Sequence, residues 1–388
     1  MQKTSKLNIL LLTVICFFAF FIFGFTDNLK GPTLPPMIAE LNIDYGTGGN
    51  IFFGEYLGFL IATLITGILA DRFGLKVVMA LAAVFLFLGV GGYSGLGTAA
   101  LLGASLFVIG MGLGAFELGP NAIIVSLYHE QKGLYLNLMA VMHGLGSMLA
   151  PLFADWLFGL GVSWREVYRW DFLPIGILLL STLILRFPKP EEKSSLDFRA
   201  VPQAAFGERL PLFYAAMTCY VAAEIGLASW LVVYLQDARA VSVSTSNQAL
   251  ALFFGMLMAG RLLGGFVVHQ LGYLHSILLA ALLAVLSLAA GIFTEMFIFI
   301  PVAGFFFSII FPTLTAAVSD EHHKNLNTIL GVLFTFSGLG GMLGPWLVAW
   351  AGDLFGLRIG FMATLLLAAL TLLFTLLLFR MNRHGQSA

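Results

Sequence analysis

Charge is scarce in this sequence. Only 10% of the 388 residues are Asp, Glu, Lys or Arg, against about 25% in an ordinary soluble domain. Cysteine is scarcer still. Cys16 and Cys219 both sit in apolar runs, so neither a disulfide framework nor a cysteine metal site can be built. There is no His-Glu-x-x-His zinc motif and no Gly-x-x-x-x-Gly-Lys-Ser/Thr phosphate loop. A zinc hydrolase and a machine driven directly by ATP therefore lack their usual parts. Long polar stretches are missing as well: the longest, 188–209, has 22 residues, too few for a soluble domain. Set beside the apolar excess of the chain, this scarcity of charge excludes a soluble enzyme, a nucleic-acid binder and a disordered chain, while the net charge of −1 says little about partners. The absences also leave no room for a metal site or an organic cofactor.

What is present is apolar. Hydrophobic residues make up 60% of the chain. Twelve spans of about 20 residues would use roughly 240 residues, or about 62% of the chain. The apolar runs are continuous, which excludes a β-barrel with its alternating strands. Glycine is frequent, at 43 residues, as close helix packing in a bilayer requires. The start, MQKTSK followed by an apolar run through Gly24-Phe25-Thr26-Asp27, is too long and lacks the small-residue cleavage site of a signal peptide. It reads as a first span.

The pattern predicts an all-α membrane protein with helices near 7–38, 47–70, 75–95, 98–128, 134–160, 171–187, 211–236, 246–269, 273–293, 296–319, 326–351 and 357–380. The polar segment 188–209 reads as a cytoplasmic linker between residues 1–187 and 210–388. Lys and Arg in the loops set the orientation. With the N-terminus inside, the inner side carries 13 of them: Lys3, Lys6, Arg72, Lys76, Lys132, Arg186, Lys189, Lys193, Arg199, Arg209, Lys324, Arg380 and Arg383. The outer side carries five: Lys30, Arg165, Arg169, Arg239 and Arg358. A multi-pass protein of the plasma (inner) membrane, both termini cytoplasmic, is expected.

The two halves repeat. HGLGSMLAP at 143–151 matches SGLGGMLGP at 337–345, displaced by 194 residues, half the chain. GILADRFG at 67–74 has a weaker partner in GFVVHQLG at 265–272, and Pro120 has one in Pro312. Parallel halves related by an axis along the membrane normal are a transporter arrangement. The fold expected is two pseudo-symmetric six-helix bundles with a substrate site in the cleft between them.

GILADRFGLK (67–76) fits Gly-x-x-x-Asp-Arg-x-Gly-x-Lys/Arg and resembles the signature loop of the major facilitator superfamily. Here Gly67 would let a neighbouring helix approach, Asp71 would face a helix N-terminus, and Arg72 and Lys76 would hold the loop inside and pair with acids. The resemblance implies that Gly67, Asp71, Arg72, Gly74 and Lys76 form a conformational gate that clasps span 11. The second copy, with His269 and Gln270 in place of the charges, makes that clasp one-sided.

Four carboxylates fall within spans: Asp27, Glu55, Glu117 and Glu224. Each costs about 2.5–3.5 kcal/mol to insert, and such groups usually line an aqueous path. Asp27 and Glu224 hold near-equivalent positions in the two halves. Glu55, nearer the outer end of its span, reads instead as a structurally satisfied acid. Glu117 has Asn121 one turn later, and the next span carries His143. Acid, amide and imidazole on adjacent helices suit hydroxyl recognition and proton exchange. Trp230 and Tyr234 are candidates for a sugar-face platform. Trp156, Trp164, Trp170, Trp346 and Trp350 read as interface anchors. Arg261, inside span 8, reads as a gate residue held by carbonyls or an acid.

Gly-x-x-Glu-x-x-x-Asn (114–121), Leu-Asn-Leu (136–138) and Gly-x-x-x-Ala (146–150) are similar to the fucose–galactose–glucose/proton symporters and their sodium-dependent glucose transporter relatives. SIIFPTL (308–314) is similar to that branch as well. The resemblance implies substrate or coupling roles for Glu117 and Asn121. Two departures stand out. His143 occupies a place where the fucose permeases have Asn, and their span-1 acid falls about a turn beyond Asp27, near Lys30-Gly31. The function expected is secondary active transport, in which a proton or sodium ion drives symport of a small neutral sugar, most simply a monosaccharide. The site residues would be Asp27, Glu117, Asn121, His143, Glu224 and Trp230. A proton-coupled drug or sugar efflux antiporter on the same fold is the alternative. No enzymatic activity is expected, and the lipid bilayer is the one other partner of an expected monomer.

Overall fold

A computed structural model describes residues 6–128, 130–187, 206–207, 209–322 and 326–386. Twelve helices in it are long and apolar enough to cross a membrane, as the sequence predicts. Of the expected linker 188–209, only 206, 207 and 209 are among the described residues. Lys3, Lys189, Lys193, Arg199 and Lys324 lie outside them. The chain divides into two compact units, Met1–Ser194 and Ser195–Ala388.

The first unit holds α1 (Lys6–Leu41), α2 (Tyr45–Phe73), α3 (Leu75–Gly95), α4 (Ala99–Leu127), α5 (Lys132–Gly159) and α6 (Trp164–Ile184). Its local chemistry sets the boundaries. α1 is interrupted at Leu29, between Lys6–Asn28 and Lys30–Leu41. Pro32 has no N–H to give the Asn28 carbonyl four residues back, which removes a helical bond at that point. Asp44 caps α2 by accepting from the Thr47 N–H at 2.8 Å, the usual N-cap arrangement. α6 begins at Trp164 rather than near 171. The polar SWRE string that reads as loop is a capping box, in which the Ser163 side chain and the Glu166 carboxylate each bond the other's backbone N–H.

The second unit holds α7 (Leu210–Ala238), α8 (Val243–Leu271), α9 (Tyr273–Phe293), α10 (Phe299–Glu321), α11 (Ile329–Phe355) and α12 (Leu357–Met381). α7 ends in a π-helical turn, Tyr234–Ala238. α10 is interrupted between Phe307 and Ile310, where Pro312 leaves the Ser308 carbonyl without its helical donor.

The sequence repeat has a structural counterpart inside each unit. Gly74 and Gly272 end α2 and α8 at φ 85° and 77°, and Gly161 and Gly356 follow α5 and α11 at φ 78° and 83°. Only glycine takes this backbone without strain. The repeated glycine string does the same work twice. A Cβ at Gly146 would run into the Phe21 carbonyl oxygen of α1, and one at Gly340 or Gly344 would run into the Thr218 or Ala222 carbonyl oxygen of α7. Backbone lies on backbone at both places, as small residues permit in membranes. Outward faces are apolar: Ile184 is 78% exposed and Phe266 72%. That is the inverse of a water-soluble surface and fits a hydrocarbon solvent.

Two expectations are corrected here. Gly67 has nothing within 4 Å of where a Cβ would sit, so the close glycine contacts of the first unit are elsewhere. Gly58 of α2 abuts Phe107, and Gly110 of α4 abuts Glu55. Trp164 is not an interface anchor. It is 2% exposed, its Nε1 donates to Glu40 Oε2 at 2.6 Å, and its ring packs on Tyr93. Trp156, Trp170 and Trp350 are exposed, as anchors should be.

Candidate functional site

The first unit gathers its charge around the interruption of α1. Lys30, counted from the sequence as an outer loop cation, is in fact 3% exposed. Its ammonium has three N–H donors, and all three are used. They reach Asp27 Oδ1 at 2.5 Å, Glu55 Oε2 at 2.7 Å and Tyr56 Oη at 3.0 Å. Asp27 stands one turn before Lys30 on the same helix face, and α2 supplies Glu55 and Tyr56. The Tyr56 ring also lies under the ammonium, 4.6 Å from nitrogen to centroid. Lysine tolerates this depth because its charge is matched twice over; an unmatched buried ion is far more costly. Glu55, read from the sequence as a structurally satisfied acid, is satisfied here by Lys30. Its partner was not legible in the sequence, because a Lys and an acid on different helices show no spacing signal. The Asp27-x-x-Lys30 step inside an apolar run was the one available clue.

A second buried acid lies close by in the chain of contacts. Asp171, at the kink of α6, is fully enclosed. Its Oδ2 accepts from Thr26 Oγ1 of α1 at 2.7 Å, while its Oδ1 has no hydrogen-bond partner. Sequence reading set the start of a span on this residue and so passed over it. One turn along α1 from Gly24, Asn28 donates to Ser147 Oγ of α5 at 3.0 Å.

Glu117, Asn121 and His143 are each half-buried. The Asn121 amide donates to the Glu117 carbonyl oxygen at 2.6 Å, which puts them on one face of α4 as the spacing predicts. The His143 ring meets Phe23 of α1 edge-on, with centroids 4.7 Å apart. Phe23 lies one turn before Asp27, so α1 carries the contact to His143 and the ion cluster on successive turns.

In the second unit, the Tyr220 hydroxyl donates to Glu224 Oε2 one turn on along α7. Arg261 of α8 lies within electrostatic reach of both, and it is exposed. This agrees with its reading as a cation held by an acid. Trp230 has no exposed surface, so its ring is enclosed and presents no open face. Tyr234 is likewise enclosed and stacks on Phe361, with centroids 4.1 Å apart.

At the signature turn, Asp71 and Arg72 are exposed and Gly74 closes α2. Lys76 departs from expectation. It pairs with carbonyls, not acids, donating to Leu183 O at 2.6 Å and Leu185 O at 3.1 Å. These carbonyls end α6, where the helix dipole is negative. Among the described residues, no group of His, Cys, Asp and Glu could hold a metal ion.

Comparison with known proteins agrees with this architecture. The yeast (Saccharomyces cerevisiae) bypass of stop codon protein 6 is 24% identical over 96% of this chain and 85% of its own length. Protein TsgA of Salmonella paratyphi B is 24% identical over 87% of this chain and 86% of its own. The rat (Rattus norvegicus) sodium-dependent glucose transporter 1 is 28% identical over 39% of this chain and 31% of its own. Among solved structures, the nucleoside transporter NupG superposes with a TM-score of 0.80 at 15% identity, covering 96% of this chain and 99% of that one. The E. coli fucose:proton symporter FucP gives 0.66 at 18%, covering 95% and 98%. The Major Facilitator Superfamily profile matches residues 16–345. With that match spanning most of the chain, and with twelve spans in the fold of its solved relatives, the chain belongs to the major facilitator superfamily of secondary transporters.

Proposed function

We propose that this transporter couples inward movement of a cation, a proton or sodium, to uptake of a small neutral sugar by alternating access. The observation that carries the reading is the polar content of the first unit. The unit holds both a buried ion cluster on the interrupted α1 and a half-buried acid, amide and imidazole, Glu117, Asn121 and His143. An amide and a carboxylate offer paired donors and acceptors to sugar hydroxyls. Asp27 in this unit and Glu224 in the other supply acids whose charge a cation can cancel. The names of the relatives lend support: a fucose:proton symporter, a D-xylose-proton symporter and a sodium-dependent glucose transporter all share the fold or part of the sequence. The excess of Lys and Arg assigned to the inner side supports placement in the inner membrane with both termini in the cytoplasm. Moving Lys30 from the outer side into the membrane widens that excess. The Gly67, Asp71, Arg72, Gly74 and Lys76 turn takes the role of conformational gate.

The test is uptake into proteoliposomes of labelled monosaccharides and nucleosides under separately imposed proton and sodium gradients. One sugar should accumulate above its passive level with one of the gradients. Glu117→Gln should lower that uptake at least tenfold, equivalent to about 1.4 kcal/mol. Absence of accumulation of any sugar under either gradient would refute the reading. Expulsion of solute against an inward gradient would replace it with antiport.

A further inference from the structure

The cluster on α1 and α2 is one positive charge short. Asp27 and Glu55 carry two carboxyl groups against the single ammonium of Lys30. Both carboxyl groups lie against the same nitrogen, with oxygens 2.5 and 2.7 Å from Lys30 Nζ, so one ammonium holds the two acids together. Two carboxyl groups sharing one buried site resist ionising together, since each negative charge disfavours the other. We propose that Asp27 and Glu55 jointly hold one exchangeable proton beside Lys30, making this cluster a proton-binding site that does not accept sodium.

The surroundings fit one proton. The side chains of Lys30 and Glu55 are 3% and 2% exposed, whereas Asp27 is 13% exposed, so Asp27 is the edge through which a proton enters and leaves. When bound, the proton sits as O–H on one of the two carboxyl groups, and the cluster is neutral. When released to water, it leaves a single negative charge. Sodium needs a shell of inward-facing oxygens. Here the ammonium already occupies the centre, with Asp27, Glu55 and Tyr56 turned towards it. Among the described residues, the elements packed around bring mainly tyrosines towards the cluster. Tyr93 of α3 lies within reach of Glu55, Lys30 and Arg165. Tyr168 of α6 lies within reach of Glu55, Tyr93 and Asp171. From α4, Gly110 abuts the Glu55 backbone. The inference deepens the coupling role given to Asp27, and it rests on that reading only for its link to transport.

The experiment uses the purified full chain and two probes, protons and sodium chloride alone. Infrared difference spectra between acid and alkaline pH report the carbonyl stretch of protonated carboxyl groups. Part of that band should vanish in Glu55→Gln and in Asp27→Asn, because a lone remaining acid pairs directly with Lys30. Lys30→Met should add a second proton to the count at the same pH. Adding sodium at fixed pH to the native chain should leave the band unchanged. Tyr56→Phe, which keeps the charge, should move the midpoint of the band without removing it, and it serves if an amide variant does not fold. A band indifferent to both amide variants, or to Tyr56→Phe if they do not fold, overturns the proposal; so does loss of the band on adding sodium. The readout needs no transported solute. Failure of sugar uptake therefore overturns only the sugar reading, and failure here leaves that reading standing.

Discussion

Lys30 shows how a single residue governs the energetics of the first unit. Its ammonium satisfies acceptors on two helices at once, and no water-exposed group can substitute for it. Removing one partner of a buried ion pair costs about 3–5 kcal/mol. Lys30→Met should therefore lower the thermal midpoint of the purified protein, with the loss greatest at alkaline pH. The sign follows from charge: with the ammonium gone, Asp27 and Glu55 are tolerated only as they take up protons, so stability recovers as pH falls. A melting series across pH checks this, and a shift independent of pH would contradict it. At this scale the sequence was legible only in part. It marked Asp27, Glu117 and Glu224 as costly acids in apolar runs, and it paired Asn121 with Glu117 along one helix. It could not show that Lys30 folds inward, since a cation near a span end looks the same whether it faces water or two carboxylates. Trp164 hid in the same way, because burial against Glu40 depends on packing between distant segments.

Helices are where the pattern of glycine becomes an arrangement in space. Gly146 lets α5 lie on the backbone of α1, and Gly340 and Gly344 do the same for α11 on α7. Gly146→Val and Gly340→Val should each cost at least the about 1–3 kcal/mol typical of overpacking. Gly67→Ala should be nearly silent, since the space there is open. Yield of monodisperse protein and thermal midpoint for the three variants test the contrast. Asp44 offers a smaller, pH-linked case at the surface. Its bonds from the Thr47 side chain and backbone N–H hold its carboxyl below the usual range. A group depressed in the folded state stabilises above its unfolded pKa and stops doing so as pH falls through the folded one. Asp44→Ala should cost about 0.5–2 kcal/mol at neutral pH and less in acid, read from melting curves at the two conditions. Existence and order of the twelve helices could be read from hydropathy alone. The start of α6 could not, because a capping box spends polar residues where a loop would also place them.

At the level of the whole molecule, the duplication explains why so few charges suffice. Each unit repeats the same glycine turns and the same backbone contacts, leaving charge free for topology and for a few interior groups. Fusion of a cytoplasm-dependent fluorescent reporter to either terminus should fluoresce, and a periplasm-dependent phosphatase at the same places should stay inactive. The opposite result would reverse the orientation. The division near the middle of the chain was legible from the offset of 194 residues, whereas nothing in the repeat foretold that charge would concentrate on α1 and α2. That concentration bears on how the protein is made. Lys30 and Glu55 stand 25 residues apart, within a single hairpin, so the cation's partner leaves the ribosome shortly after it. Until then Asp27, one turn away, is the counter-ion that α1 itself brings to Lys30. The pairing thus favours entry of the first two helices as one hairpin, its legs pinned by charge before the remaining ten helices are synthesised.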